Sequence, residues 1–205
     1  MGCQRGGFIM SMEHKAFLFD SILYHKEIEP VIKKCCKSKN VEPAVEYIKE
    51  NCALLRMPDS GENLQENWQD GCVMDLQGLF DILLTRCYEP NEDIGLEYAW
   101  DGVLEAIRNT KIVDNADLCV LGRPLAYSGI TIDPGYEGLG IVGEDEVVWI
   151  KELLAKNKEK IEVAKIEGSE LLYTLEPDEL VDACDDLCMI YNKAVKDGKG
   201  ILFTF

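Results

Sequence analysis

A glycine-rich segment carries the side chains best suited to binding a small ligand. It runs from Asp133 to Gly143, between a predicted strand and a predicted helix. Glycines in such a position can direct backbone N–H groups toward a bound anion. However, no Lys-Ser or Lys-Thr pair follows, and acidic side chains in or beside the segment would repel a phosphate: Asp133, Glu137, Glu144 and Asp145. The pattern therefore favours tight turns over a phosphate loop.

One hypothesis is a small-ligand-binding protein or an enzyme, with a cleft between the 135–143 loop and a helix around Trp100. The polar side chains that can line this cleft are Asp101, Arg123, Asp133 and Tyr136. Arg123 is one of only five arginines in the chain, and its alternative role is to pair with the surrounding carboxylates.

No catalytic signature accompanies these residues. The chain has two histidines, His14 and His25, and it lacks both the G-x-S-x-G elbow and the H-E-x-x-H zinc motif. Cys184 and Cys188 lie one helical turn apart, but no second pair of ligands stands at the spacing of a zinc site. We therefore assign no catalytic residue, no metal site and no cofactor, and the balance favours a protein that is not an enzyme.

The excess of acidic residues suggests another function, which is binding of a basic protein. The formal net charge is −17, from 21 Lys and Arg against 38 Asp and Glu. A predicted helix places three carboxylates at i, i+4 and i+8, and a tryptophan lies in a polar connection nearby: Glu97, Asp101, Glu105 and Trp68. The leading hypothesis is a non-enzymatic interaction module, of immunity or inhibitor type, that uses this acidic face. The alternatives are ordinary solubilising charge and, for Trp68, a ring that fastens its loop.

The same charge argues against other classes of partner. A net charge of −17 opposes binding to a nucleic-acid backbone or to an anionic membrane surface. No apolar run reaches the length of about 18 residues that a membrane span needs. Nine cysteines, an odd number, with no secretory leader before them indicate reduced thiols and a cytoplasmic location. Lysines within 33–39 and 151–165 leave self-association open as a further possibility.

The elements that must position these residues are mostly helices. Apolar periodicity predicts a helix around residues 31–35 and a second over 41–52 with Asn40 as its N-cap. Further helices are predicted over 76–84, 94–107, 144–156 and 177–198. Residues 57–70 show no periodicity and are expected to form a loop or a mobile lid.

Strands are predicted mainly in the second half of the chain, over 126–132, 139–142 and 201–205. Residues 118–121 fit either a short strand or a turn of helix. The sequence thus predicts a helix-rich α+β domain over 13–205, with a helical part over 13–90 and a small sheet formed mainly by the C-terminal half. Residues 1–12 are expected to form a flexible extension.

The second half also matches a known pattern of apolar and glycine positions. The pattern comprises Asp93-Ile94, Trp100, Leu104, Leu121-Gly122, the glycine-rich turn with its helix, and Tyr191, Ala194 and Gly198 before the last strand. Residues 90–205 thereby resemble the YfbM-like family of small bacterial cytosolic proteins. The resemblance implies an α+β fold and a bacterial cytosolic setting, and it supplies no catalytic residues. The chain departs from the family in having no histidine after His25.

Overall fold

A five-stranded sheet, antiparallel throughout, organises the structure. The computed structural model describes residues 12–70, 75–136, 138–166 and 171–205, so nearly all of the expected N-terminal extension lies outside the described residues. The strands follow the order β1-β5-β4-β2-β3 across the sheet. Their bounds are β1 Lys15–Phe19, β2 Arg123–Tyr127, β3 Ile130–Ile132, β4 Leu139–Val142 and β5 Gly200–Thr204.

The sheet is covered on both faces because apolar side chains alternate along its strands. In β5, Ile201 and Phe203 enter one hydrophobic core, whereas Leu202 enters the other. Ala16 and Phe17 of β1 divide between the two cores in the same way. The domain is therefore a three-layer α+β sandwich with a helical layer on each side of the sheet.

The N-terminal helices form one layer. They comprise α1 (Ser21–Leu23), a π-helical turn (Tyr24–Ile28), α2 (Glu29–Ser38), α3 (Glu42–Asn51) and α4 (Leu76–Leu84). The predicted apolar stripe of α4 is confirmed, since Leu79, Phe80 and Leu83 are fully buried. Asn40, the predicted N-cap of α3, lies one residue before the observed N-cap, Val41. Its Oδ1 nevertheless accepts the N–H of Glu42 at 3.0 Å.

The C-terminal helices form the other layer. They comprise α5 (Trp100–Thr110), α6 (Asp117–Val120), α7 (Glu144–Glu162) and α8 (Pro177–Asp197). Residues 118–121 thus belong to a helical turn rather than to a strand. Helix α8 ends where expected, because Gly198 takes the left-handed conformation (φ 62°) that closes a helix. Helix α7 extends beyond the predicted residue 156.

One prediction about the strands is wrong, and one strand was not predicted. The strand expected over 126–132 is a hairpin, since Ser128 and Gly129 both have positive φ (53° and 80°) and reverse the chain between β2 and β3. The sequence also gave no prediction for β1, a five-residue strand that pairs with β5 from Lys15↔Thr204 to Phe19↔Gly200. Four of the five strands lie in the C-terminal half, as expected.

A buried histidine fastens β1 to the C-terminal layer. His14 is fully buried, its Nε2 donates to the carbonyl of Val120 at 2.8 Å, and its Nδ1 accepts the N–H of Leu96 at 3.1 Å. Since Nδ1 accepts a hydrogen bond, the imidazole is neutral with its proton on Nε2. Burial lowers the pKa of His14 from 6.5 to about 4, so the fold selects this neutral form.

Buried, neutral His14 should make the stability of the fold depend on pH in the acid range. The lowered pKa of His14 contributes stability that is present above pH 6.5 and is lost as the pH falls toward about 4, because the unfolded chain takes up the proton first. The difference in free energy of unfolding between wild type and His14→Gln should shrink by about 3 kcal/mol over that range. Urea titrations at several pH values measure this difference. His25→Gln is the control, and its free energy of unfolding should depend on pH as that of the wild type does. A difference that stays constant with pH would contradict the assignment.

Candidate functional site

A cavity of about 390 Å³ lies between the sheet and the N-terminal layer. Its floor comes from three neighbouring strands, since Thr204 of β5 stands opposite both Lys15 of β1 and Leu139 of β4. Because these residues alternate with Ala16 and Phe203, their side chains fall on the face of the sheet that carries Leu202. The cavity is therefore built by strand register at one end of the sheet.

Its walls come from four separate segments of the chain. Helix α4 contributes Asp81 and Leu84, and the 57–70 connection contributes Pro58 and Asp59. The remaining walls are the stretch that follows α4 and the start of the glycine-rich segment, represented by Tyr88, Pro90, Asp93, Pro134 and Gly135. Asp59 and Asp93 are exposed, whereas Asp81 is partly buried, so the carboxylates extend from the rim toward the interior.

Asp81 is the innermost of the three described carboxylates that line the cavity. Within the described residues, its carboxylate makes neither a hydrogen bond nor an ion pair. Burial raises the pKa of Asp81 from 3.8 to about 7, and the neighbouring Asp59 carboxylate adds to that increase. Such a group exchanges a proton near neutral pH, which is a common property of binding and catalytic carboxylates.

Tyr88 places a second unpaired polar group beside these carboxylates. The residue is only 9% exposed, and its ring packs against Phe17 with the centroids 4.9 Å apart. Its hydroxyl has no hydrogen-bond partner in the described part of the chain. Burial raises the pKa of Tyr88, and so do the charges of Asp81 and Asp59, which places the phenol within their electrostatic reach. The hydroxyl oxygen itself is not sealed from solvent, so it is open to a molecule in the cavity.

Within the described part of the chain, the cavity has two further charged side chains, Asp93 and Lys15. Asp93 Oδ1 accepts the backbone N–H groups of Ala16 (3.0 Å) and Gly95 (2.8 Å), so it holds the chain beside β1. Lys15 is the one basic side chain among the described residues that line the cavity, and it makes no ion pair there. Hydrocarbon from Phe17, Leu84, Leu139 and Leu202 makes up the smaller part of the cavity surface, which is mainly polar.

The cleft predicted from the sequence is only partly correct. The glycine-rich segment does border a cavity, through Pro134 and Gly135. The Trp100 side of the predicted cleft is filled, however, because the ring of Phe205 lies 4.9 Å from that of Trp100 and also packs against Gly138. The cavity is on the side facing α4 instead, and sequence periodicity could not show which face would stay open.

The four predicted ligand-binding residues do not meet. Asp101 is buried, and its Oδ2 accepts the backbone N–H groups of Leu172 and Tyr173. Arg123 pairs with Glu146 at the start of α7, with Nη2 2.6 Å from Oε1. Asp133 Oδ1 accepts the N–H of Gly138 at 2.8 Å and closes the turn. The side chain of Tyr136 lies outside the described part of the structure.

The predicted acidic stripe is also wrong. Helix α5 begins at Trp100, so Glu97 is not helical; it has a positive φ of 49° and forms a bridge with His14. Asp101 faces inward, and Glu105 bonds to Asn109 and pairs with Arg108 on its own helix. The three carboxylates therefore do not share an exposed helical face.

Trp68 has the structural role that the sequence offered as the alternative. It is 5% exposed and belongs to the core between the sheet and the N-terminal layer. Hydrogen bonds from Leu64 N–H to the Leu55 carbonyl (3.1 Å) and from Met57 N–H to the Glu62 carbonyl (2.9 Å) fasten the same connection. The 57–70 connection is a loop, as expected, and its burial leaves no face of Trp68 for a partner.

A second concave surface combines aromatic rings with carboxylates. The rings of Tyr98 and Tyr173 lie 4.8 Å apart beside α8. Four carboxylates border the same hollow: Glu97, Glu179, Asp182 and Asp186. We call these six residues the tyrosine hollow. No ion pair joins any of the four carboxylates to a basic side chain within the described residues.

The thiols and possible metal ligands give no further site. All seven described cysteines are free, and burial raises the pKa of Cys184 to about 12, as expected for a small apolar core residue. No cluster of three or more His, Cys, Asp or Glu side chains able to hold a metal occurs in the described ranges. Nor does any helix among those residues combine the length and apolar character needed to cross a membrane.

Comparisons of the chain with protein-family models, with curated proteins and with solved structures found no match. The resemblance of residues 90–205 to the YfbM-like family accordingly stays an expectation from the sequence. The candidate site is supported by the geometry of the cavity alone.

Replacing Asp81 by asparagine should stabilise the folded protein. Asp81→Asn cannot ionise, so it should raise the free energy of unfolding at pH 8 by roughly 2–4 kcal/mol. The raised pKa means that Asp81 stabilises the fold fully below pH 3.8 and loses that contribution as the pH rises through about 7. The gain should therefore disappear near pH 4. Urea titrations test this, with the exposed Asp114→Asn as control; equal behaviour of the two variants would refute the burial argument.

Proposed function

We propose that this chain is a small-molecule-binding protein and that the cavity under α4 is its binding site. The observation that supports it most strongly is a pair of polar groups, Asp81 and Tyr88, that have no partner within the described residues and that border a cavity with some hydrocarbon in its lining. Ligand sites in proteins commonly combine an apolar wall with a few convergent polar groups.

Asp81 and Tyr88 affect the stability of the folded protein. An unpaired carboxylate and an unpaired phenol each reduce stability, and apolar replacements would fit the same wall. A molecule bound in the cavity would satisfy both groups through hydrogen bonds or ion pairs. The volume of about 390 Å³ falls in the lower part of the range of about 300–1,000 Å³ found for small-ligand pockets.

Filling the cavity tests this proposal. Leu139→Trp adds an indole to the cavity floor, whereas Val148→Trp adds one to an exposed position of α7 (47% exposed). A fragment library screened by ligand-observed NMR should give binders to wild type and to Val148→Trp that are lost in Leu139→Trp. Thermal melts of both variants verify folding. An absence of binders, or binders that Leu139→Trp retains, would refute the proposal.

A second candidate function is binding of a basic protein segment at the tyrosine hollow. It preserves the interaction hypothesis but moves it from the helical stripe to α8, where Glu179, Asp182 and Asp186 lie on one exposed face. Tyrosine rings of the kind found here attract lysine and arginine side chains. The excess negative charge of the chain would speed such an association.

A charge-matched comparison tests this second candidate. Glu179→Gln, Asp182→Asn and Asp186→Asn together remove three carboxylates from the tyrosine hollow, and glutamine keeps the capping bond of Glu179 to Glu176. A fluorescent decalysine probe should bind this triple variant roughly fivefold to tenfold more weakly than wild type. Neutralising Glu42, Glu46 and Glu50 of α3 is the control. Equal loss in both triple variants would show that general attraction alone is at work.

We also place the protein in the cytoplasm as part of this proposal. The support is that all seven described cysteines are free thiols, as is usual in a reducing compartment. Self-association through the lysine clusters stays a prediction from the sequence.

A further inference from the structure

The charges around the cavity are unequal, and their sign indicates the ligand. Among the described lining residues, Lys15 faces three carboxylates, those of Asp59, Asp81 and Asp93. Asp93 already accepts two backbone N–H groups through Oδ1, whereas Asp59 and Asp81 have no partner in the described chain. The two carboxylates without a partner, those of Asp59 and Asp81, can accept hydrogen bonds and, when ionised, carry negative charge.

We propose that the cavity under α4 binds an organic cation, whose ammonium group lies between Asp59 and Asp81 while its apolar part rests on the sheet floor. This inference rests on the proposed function, because it names the class of ligand for that same site. Tyr88 gives it a second, independent support, since a phenol nine-tenths buried has a free hydroxyl beside the two carboxylates. A cationic group would contact the hydroxyl oxygen and both carboxylates together.

The hydrocarbon within the lining favours an organic cation over a bare metal ion. Phe17, Leu139 and Leu202 present hydrocarbon where a hydrated divalent ion would need oxygen ligands. An ammonium compound with an aromatic or aliphatic body satisfies both parts of the cavity. The same polarity opposes an anionic ligand, since only Lys15 could pair with it among the described lining residues.

Binding of a cation should also release a proton. Asp81 has its pKa raised to about 7, and the groups that face it are Asp59 and Tyr88, with Lys15 and Asp93 elsewhere in the lining. A cation beside Asp81 favours its ionised form and lowers that pKa. At pH 7 we expect release of about half a proton per bound ligand, declining toward zero at pH 8.5 where Asp81 is already ionised.

A matched set of probes tests the ligand class. Benzylamine, benzyl alcohol and benzoate share one aromatic body and differ in charge. Benzylamine should bind wild type about tenfold more tightly than benzyl alcohol, and Asp81→Asn should remove that preference. Asp114→Asn, which removes one exposed carboxylate elsewhere, should behave as wild type. Isothermal titration in two buffers of different ionisation enthalpy measures affinity and proton release together.

The outcomes separate this inference from the proposed function. If benzyl alcohol or benzoate binds as tightly as benzylamine and Leu139→Trp abolishes the binding, the cavity is a ligand site but the cation proposal is wrong. If millimolar Mg²⁺ displaces benzylamine at constant ionic strength, the carboxylates hold a metal and the cation proposal is again wrong. If no probe binds, or if benzylamine binds Leu139→Trp as it binds wild type, both proposals fail.

Discussion

The pairing of β5 with both β1 and β4 is the interaction on which the rest of the structure depends. It joins the two ends of the described chain, since Lys15–Phe19 and Gly200–Thr204 are adjacent strands. Alternation along β5 then sends Ile201 and Phe203 to the C-terminal layer and Leu202 to the N-terminal layer. A shift of one residue in this register would exchange the two sets of side chains and disrupt both cores.

The cavity is a consequence of the same register. The side chains of Lys15, Thr204 and Leu139 form its floor because the three residues stand opposite one another across β1, β5 and β4. Helix α4 covers this floor with Leu84, which is fully buried, and with Asp81, which has no partner among the described residues. The most costly polar group of the site is thus on a rigid helix above a rigid sheet. Such placement suits the recognition of a small molecule with little rearrangement.

The acidic charge of the chain has several separate structural uses. Asp101 holds the backbone of Leu172 and Tyr173, Asp133 closes a turn, and Glu146 pairs with Arg123 at the N-terminus of α7. Each of these carboxylates has a structural role through its hydrogen bonds or ion pair. Asp59 and Asp81 of the cavity and Asp182 and Asp186 of the tyrosine hollow have no such partner within the described residues.

The sequence by itself determined the α+β class and most of the helices, because periodic burial is a local property that a stripe such as Leu79, Phe80 and Leu83 displays directly. It also identified the border segment at Pro134-Gly135. It could not determine that Glu97 leaves the helical stripe or that Asp81 belongs to the site. Those outcomes depend on the pairing of residues 14 and 97 and on the contact of α4 with a sheet assembled from both ends of the chain. Only the tertiary structure decides them, because burial and electrostatic neighbours arise from contacts between distant segments.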